Sequence, residues 1–329
     1  QGKMPALSRL MSRGVHGKLQ TLDPPLSPML WTSIATGFRA DTHGIGGFIE
    51  PTPDGENLRP VTSTSRKVKA IWNILNQEGY KSNVVAWWPS NPAEPINGVM
   101  VSNLYQIATK PLSEEWEMPK GSVHPEELSE KMKEFRIHPH QINLEQAQAF
   151  LPNIKTDEAL RSDPRTASVL RTMANAGTIH SATCHLLEHM EWDFTAVYHD
   201  AIDHFSHIAM RYFPPRRPEI PEKDFDDYKD VVEAAYLFHD RMLARMMGFI
   251  DEENTTVLLI SDHGFHCDHQ RPLYIPKEPS GPAVEHSPYG VFVMAGPGIK
   301  SGGRQISGLS VLDITPTLLH HMGLAVGKD

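Results

Sequence analysis

Two apolar segments of this sequence run into clusters of acidic and histidine side chains. Residues 255–261, Thr-Thr-Val-Leu-Leu-Ile-Ser, are followed directly by Asp262 and His263. The apolar run 193–198 likewise leads into the segment 203–207, Asp-His-Phe-Ser-His. Short apolar runs of this kind are typical of strands buried in an α/β sheet. Because ligands bind at the carboxyl ends of such strands, the sequence predicts an α/β protein with a polar site at one sheet edge.

A recurring order of helix, glycine and strand predicts how the sheet is built. Ser27-Pro28 combines a preferred N-cap with a preferred first helical residue, so we predict a helix over Pro28–Thr36 that Gly37 ends. A second helix, near 66–78, leads into a strand at 82–87. This order predicts a mostly parallel central sheet sandwiched by helices. The further predicted elements are helices at 5–14, 165–191, 225–250 and 313–322 and strands at 193–199, 255–261 and 290–295.

The segment from about 104 to 165 differs from the rest of the chain. Strand signals stop there, and proline and charged residues become more frequent between short helical stretches. We therefore interpret residues 105–165 as an inserted helical cap subdomain. Residues 1–104 and 166–329 are expected to form the catalytic core.

Composition excludes several classes of protein. The chain has 329 residues, 40% of them hydrophobic, which is enough for a substantial core. Its net charge of −9 offers no basic surface for a nucleic acid polymer. It has no apolar run of the ~18 residues that suggest a membrane span. Its two cysteines slightly favour a cytoplasmic location, and a periplasmic or secreted one stays open.

Carboxylates and imidazoles at the predicted strand ends suggest a metal site. Asp203 and His207 stand four residues apart, so they share a face of a helix that begins after the strand. Asp262 and His263 are adjacent, and His286 immediately precedes the last core strand. Carboxylate oxygen and imidazole nitrogen together suit zinc or a similar transition metal. Surface or capped histidines are the alternative for each position alone.

Ser27 is the candidate nucleophile. It lies at the predicted N-terminus of a helix, where free backbone N–H groups and the helix dipole favour an alkoxide or a bound phosphate. An ordinary N-cap serine would have the same position, so the residue alone does not establish a catalytic role.

These motifs occur in an order that resembles the alkaline phosphatase superfamily, most closely its type I phosphodiesterase/nucleotide pyrophosphatase branch. The matching motifs, in chain order, are Ser27…Gly37, His43-Gly44-Ile45, Asp203…His207, Asp262-His263-Gly264, His286 and the stretch 312–319. The resemblance covers the chain apart from the predicted cap. It implies an alkaline phosphatase-like fold and the hydrolysis of small phosphate esters, with phosphodiester or nucleotide pyrophosphate bonds as the first expectation.

The resemblance also implies a role for each candidate residue. The branch places its nucleophile ten residues before the glycine that closes the helix, which selects Ser27 over Thr32 and Ser33. Two divalent ions, expected to be zinc, take part in a reaction through a phosphoseryl intermediate. The first zinc is bound by Asp203, His207 and His286, and the second by Asp262 and His263. Because imidazole binds a metal only when neutral, we expect the affinity to fall below about pH 6.

The sequence departs from the family pattern at one point. The family has a further metal-binding Asp after a first strand that precedes the first helix, and the sequence has no such segment before residue 5. We expect that the sequence given begins after that strand.

Other functions are compatible with parts of the sequence. A phosphomonoesterase or phosphonate hydrolase would share this core. A sulfatase would as well, but its Cys/Ser-x-Pro-x-Arg motif is not met at Met29 and Trp31. His185 and His189 in a His-x-x-Glu-His pattern match a class of zinc proteases. A non-catalytic binding module would need a broken metal site. His266 and His269 are either orienting residues for the metal ligands or part of a solvated loop, and the oligomeric state is open. These last two histidines complete the candidate set.

Overall fold

The computed structural model describes residues 2–107, 114, 116–272, 274–278 and 280–327. Its helices are α1 (Pro5–Arg13), α2 (Ser27–Thr36), α3 (Ala40–His43), α4 (Ile71–Gln77), α5 (Ser129–Lys133), α6 (Leu144–Ala147), α7 (Asp157–Ser162), α8 (Pro164–His189), α9 (Ala201–Ala209), α10 (Glu222–Tyr228), α11 (Val231–Met247) and α12 (Ile314–His321). Its strands are β1 (Val15–Gln20), β2 (Ile49–Pro51), β3 (Leu58–Pro60), β4 (Ser82–Val85), β5 (Gly98–Val101), β6 (Val123–His124), β7 (Phe194–Val197), β8 (Val257–Ile260), β9 (Gly264–Phe265), β10 (His286–Ser287), β11 (Tyr289–Ala295) and β12 (Arg304–Ser310). The predicted α/β class is confirmed.

One four-stranded sheet has the order β6-β5-β4-β7. Its strands β5, β4 and β7 are parallel, and β6 pairs antiparallel with β5. All four residues of β4 are buried, as expected for a central strand covered on both faces. The short strand β6 lies inside the segment 105–165, for which the sequence pattern predicts no strand.

The other four-stranded sheet has the order β12-β1-β11-β8 and mixes parallel with antiparallel pairs. The sequence did not predict β1 or β12. The reason is their weak pattern, since Leu19 is the one fully buried residue of β1 and β12 has none. At Gly17 the two strands approach so closely that a Cβ atom would lie 2.3 Å from the carbonyl oxygen of Ile306.

Helices of the second half of the chain pack together around one apolar cluster. Helix α8 packs against α9 and α11, and the segment 105–165 adds Phe150 and Leu151 to the same apolar cluster. The single helix predicted at 225–250 is two helices, α10 and α11, separated by Lys229 and Asp230. No helix in the described ranges is both long enough and apolar enough to cross a membrane.

Residues of both sheets line one large cavity. Strands β7 and β8 are the edge strands of their sheets, and both line this cavity of about 1610 Å³. The polar residues that follow the two strands, Asp200 to Asp203 and Asp262 to His263, line it as well. The sheet topology thus brings the two predicted strand-end clusters to one place.

Candidate active site

The N-terminus of α2 presents Ser27 to the cavity. Leu26 is extended, Ser27 is the first helical residue, and Gly37 ends the helix with a left-handed φ of 77°. The other hydroxyls of this helix turn inward. Thr32 Oγ1 donates to the carbonyl oxygen of Pro28 at 2.7 Å, and Ser33 Oγ lies 2.9 Å from His43 Nε2. Both residues are buried.

Buried His43 fixes the segment that follows α2. The backbone N–H of Ile45 donates to His43 Nδ1, so we assign the proton of the neutral ring to Nε2, which donates to Ser33 Oγ. Burial lowers the pKa of His43 to about 4. The imidazole is therefore neutral at pH 7 and acts as a structural link between α3 and α2.

Tyr198 links Ser27 to the acidic residues of the site. Its hydroxyl lies near enough to the Ser27 side chain for that side chain to lower the pKa of Tyr198 slightly, and its ring contacts Trp31 of the same helix. Burial raises the pKa of Tyr198 well above its usual value, and the nearby Asp200 and Asp262 raise it further. The phenol is neutral at pH 7. Sequence reasoning missed Tyr198 because it looks like the last apolar residue of a strand.

Asp203 stands at the centre of the predicted ligands. Its Oδ1 atom lies 3.4 Å from His207 Nε2 and 3.4 Å from His286 Nε2. The same oxygen lies 3.7 Å from His263 Nε2. Asp203 and His207 both belong to α9, so the predicted helical spacing holds. Three imidazoles from three separate parts of the chain thus converge on one carboxylate oxygen.

The pairing of β9 with β10 brings His286 to the site. His286 lies opposite Phe265 in this pair, and Ser287 lies opposite Gly264. The ring of His286 consequently stacks on that of His263, with centroids 3.6 Å apart and an interplanar angle of 15°.

The outer nitrogen of each imidazole has an oxygen partner. His207 Nδ1 lies 2.7 Å from Glu285 Oε2, and His286 Nδ1 lies 3.0 Å from the carbonyl oxygen of Pro25. His263 Nδ1 lies 3.1 Å from the carbonyl oxygen of Gly264. Because these oxygens accept, we assign Nδ1 as the donor in each ring. In the neutral rings, each Nε2 therefore directs a lone pair toward Asp203.

This arrangement places electron pairs together without a donor between them. His207 Nε2 and His286 Nε2 are 3.1 Å apart. Asp203 Oδ1 and Asp262 Oδ2 are buried and have no hydrogen-bond partner among the described residues. Buried charges require a counter-charge or a metal ion. Carboxylate and Nε2 ligands match the chemistry of zinc, so the residues present fit a bound divalent cation.

The geometry groups the ligands differently from the assignment that the resemblance implies. Asp203, His263 and His286 each offer a ligand atom, and these three atoms all lie within 4.8 Å of one another. Among the described residues, this is the one group of three or more candidate ligands that is so compact. His207 joins this set through His286, and Asp262 Oδ2 lies 3.6 Å from His263 Nε2. All five predicted ligands are brought together.

The pKa values reflect the crowding of like charges. Burial raises the pKa of Asp262 to about 7, and the neighbouring charge of Asp203 adds to this effect. Burial lowers the pKa of His207, but the neighbouring carboxylates of Asp203 and Glu285 outweigh burial and raise it to about 9. The pKa of Asp203 stays well below its usual value despite burial, because His207 and His286 stabilise its charge. In the metal-free protein, protons thus supply part of the positive charge.

Other predicted residues lie elsewhere. The rings of His185 and His189 are 4.6 Å apart on α8, but they belong to no group of three candidate ligands within the described ranges. The zinc-protease hypothesis therefore lacks a third ligand there. His269 is exposed, which favours a solvated loop, and the backbone N–H of His266 donates to the carbonyl oxygen of Glu285 at 2.8 Å. Glu285, for which the sequence predicts no role, contacts the predicted ligand His207.

The fold and the site define an α/β protein that carries a cluster of candidate metal ligands at the carboxyl ends of its strands. The profile of the family described as type I phosphodiesterase / nucleotide pyrophosphatase matches residues 1–271. The chain belongs to this family and is a phosphoric ester hydrolase. No curated protein matches the sequence significantly.

Solved structures show the same fold at low sequence identity. Human ectonucleotide pyrophosphatase/phosphodiesterase 5 is 11% identical, with a TM-score of 0.51 over 99% of this chain and 91% of that one. The murine protein, as an inactive variant in complex with AMP, is 12% identical with the same TM-score and coverage. A putative sulfatase from Bacteroides thetaiotaomicron is 13% identical, with a TM-score of 0.55 over 100% of this chain and 67% of that one. The likeness to these structures shows the fold alone, which is the alkaline phosphatase-like fold expected from the sequence.

Proposed function

We propose that this protein hydrolyses phosphodiester or nucleotide pyrophosphate bonds through a phosphoseryl intermediate on Ser27, with two divalent cations, expected to be zinc. One observation carries the proposal. Three imidazole Nε2 atoms surround the unpartnered Oδ1 of Asp203, in the cavity that Ser27 also lines. Such a convergence of ligand atoms on a buried carboxylate favours a bound cation over a purely structural cluster.

The chain's residues divide the work of binding between two ions. Following the family resemblance, Asp203, His207 and His286 would hold one cation, and Asp262 with His263 the other. When bound, zinc supplies a Lewis acid that lowers the pKa of a coordinated hydroxyl and stabilises charge on phosphoryl oxygens. Pro25 accepts a hydrogen bond from His286 and lies two residues before Ser27. The ligand His286 and the nucleophile are therefore held in register by one loop.

Ser27 would act as the nucleophile. Its Oγ loses a proton to solvent and attacks phosphorus, so that the Ser27 O–P bond forms while the bond to the leaving oxygen breaks. Water then attacks the phosphoseryl group, restores the Ser27 hydroxyl and releases the phosphate product. Backbone N–H groups at the start of α2 point toward the developing negative charge. The neutral Tyr198 phenol lies beside the Ser27 side chain.

We expect the substrate to contain a nucleotide. The murine structural neighbour is known in complex with AMP, which supports a nucleotide leaving or transferred group for this chain as well. Phosphomonoesters, phosphonates and sulfate esters are the alternatives within the superfamily. The likeness to a sulfatase concerns the fold alone, and Met29 and Trp31 do not fit the sulfatase motif.

A substrate panel tests the reaction class. The zinc-loaded protein would be assayed with p-nitrophenyl phosphate, bis-p-nitrophenyl phosphate, a dinucleotide polyphosphate and p-nitrophenyl sulfate. We expect kcat/KM to be highest for the diester or the dinucleotide. A preference for the monoester would move the protein to the phosphomonoesterases, and turnover confined to the sulfate would overturn the proposal.

A matched pair of variants tests the nucleophile. Ser27→Ala should remove nearly all hydrolysis while zinc content is kept, and Ser27→Thr should retain part of it because either hydroxyl can attack. Thr32→Ala is the control, since the Thr32 hydroxyl donates inside the helix. Acid trapping and mass spectrometry should place the phosphate on Ser27. Phosphate on Thr32, or full activity of Ser27→Ala, would show that the nucleophile is misassigned.

A further inference from the structure

We infer that Glu285 is a positioning residue that holds the His207 ring with its Nε2 atom facing the ligand cluster. The inference rests on the proposed function, since it concerns one of the proposed metal ligands. The carboxylate Oε2 of Glu285 lies 2.7 Å from His207 Nδ1, across 78 residues of sequence. Glu285 is 3% exposed, so water does not compete well for this contact.

The local fold keeps Glu285 in place. It is the last residue of the short 3₁₀ helix Gly281–Glu285 and directly precedes β10. Its carbonyl oxygen accepts the backbone N–H of His266 at 2.8 Å, next to the paired strands β9 and β10. The carboxylate therefore reaches His207 from a backbone that is fixed on both sides.

Glu285 differs chemically from the partners of the other two imidazoles. His286 and His263 donate to neutral carbonyl oxygens, of Pro25 and Gly264, whereas His207 donates to a carboxylate. An anionic acceptor makes an imidazole a stronger metal ligand and adds negative charge beside a bound cation. Loss of such an outer partner typically weakens metal affinity about 10–100-fold.

Asp203 and His286 lie on the Nε2 side of the His207 ring, and Glu285 lies on its Nδ1 side. Phe265 contacts the ring edge to face, with centroids 5.0 Å apart, and such an apolar contact tolerates a flipped ring. In a flipped ring, Nδ1 exchanges places with Cδ2 and Nε2 with Cε1, so the ligand atom moves away from Asp203. The hydrogen bond to Glu285 selects one of the two orientations.

Zinc affinity measures this role. The wild-type protein, Glu285→Gln and Glu285→Ala would compete for zinc against a chromophoric chelator at pH 7.5. Gln keeps an acceptor without the charge, so we expect about 10-fold weaker binding, and Ala removes the acceptor, so we expect about 100-fold weaker binding. Asp240→Asn is the matched control. The buried carboxylate of Asp240 accepts hydrogen bonds from the backbone N–H groups of Ala6 and Leu7. The zinc affinity of the Asp240→Asn variant should equal that of the wild type.

Nuclear magnetic resonance of the metal-free protein provides a second readout that does not depend on the proposed function. A deshielded His207 Nδ1–H signal is expected in the wild type, a less deshielded one in Glu285→Gln, and none in Glu285→Ala. Equal zinc affinities of the wild type and Glu285→Gln, with an unchanged Nδ1–H signal, would overturn the inference. Absence of zinc binding by the wild type would instead contradict the proposed function, and the proton signal would still decide the role of Glu285. If Glu285→Ala fails to fold, the Gln variant carries the test.

Discussion

Zinc binding at neutral pH should release protons from two of the proposed ligands. In the metal-free protein the pKa of His207 is raised to about 9, because Asp203 and Glu285 outweigh the effect of burial. The pKa of Asp262 is raised to about 7 by burial and by Asp203. A ligand must be deprotonated to bind the metal. At pH 7 His207 therefore gives up about one proton and Asp262 about half of one, for a total of about 1.5.

This number sets the pH dependence of the affinity. The logarithm of the zinc association constant should rise with pH by about 1.5 per unit near pH 7, which is about 2 kcal/mol per unit. Above the pKa of His207, near 9, the slope should level off. Ordinary imidazoles alone would lose affinity only below about pH 6. The pH range in which zinc affinity is lost therefore lies two to three pH units higher than the sequence alone predicts, because the pKa of His207 is raised to about 9.

Calorimetry in two buffers of different ionisation enthalpy counts the released protons directly. The variant His207→Ala should release about one proton fewer than the wild type, and Asp240→Asn should release the same number. Fewer than about 0.5 protons at pH 7, or an affinity that is constant from pH 6 to 8, would refute the reasoning, because His207 and Asp262 would then already be deprotonated without the metal.

Three further predictions concern the ligands, the acid stability and the anchoring of α1. Elemental analysis should find at least one equivalent of zinc fewer in Asp203→Ala than in the wild type, since Asp203 Oδ1 contacts three imidazoles; equal zinc content would contradict its role. His43 has a folded pKa of about 4, so the unfolded chain binds more protons between about pH 6.5 and 4, and stability falls as the pH drops through this window by up to about 3 kcal/mol. Urea unfolding at pH 7 and 4.5 should show a smaller drop for His43→Gln, and an identical drop would argue against a neutral buried imidazole. Asp240→Ala should cost about 2 kcal/mol by the same method, because it removes the acceptor of two N–H groups at the start of α1.

Local patterns in the sequence predicted most of the candidate site. The strands at 193–199 and 255–261 appear in the structure as β7 and β8, and the polar residues after them line one cavity. The spacing of Asp203 and His207 placed both on one helical face, as α9 shows. These features depend on the periodicity of neighbouring residues, which the sequence records directly.

Elements with a weak pattern escaped prediction. Strands β1 and β12 have few buried side chains, so their apolar periodicity is faint even though β1 lies inside its sheet. The helix predicted at 225–250 broke at Lys229 and Asp230, where helical propensity alone gives no signal. Tertiary pairing, rather than local preference, forms or ends these elements.

The sequence by itself determined which residues offer ligand atoms and a hydroxyl, and that they follow strands or begin a helix. Only the tertiary structure decided which nitrogen of each imidazole faces inward, because that depends on acceptors far away in the chain. Glu285 meets His207 across 78 residues, and the carbonyl oxygen of Pro25 meets His286 across 261 residues. Such contacts form when loops close around packed sheets, and no local spacing encodes them. The orientation of the ligands, and with it the fit to a cation, is therefore a property of the folded chain.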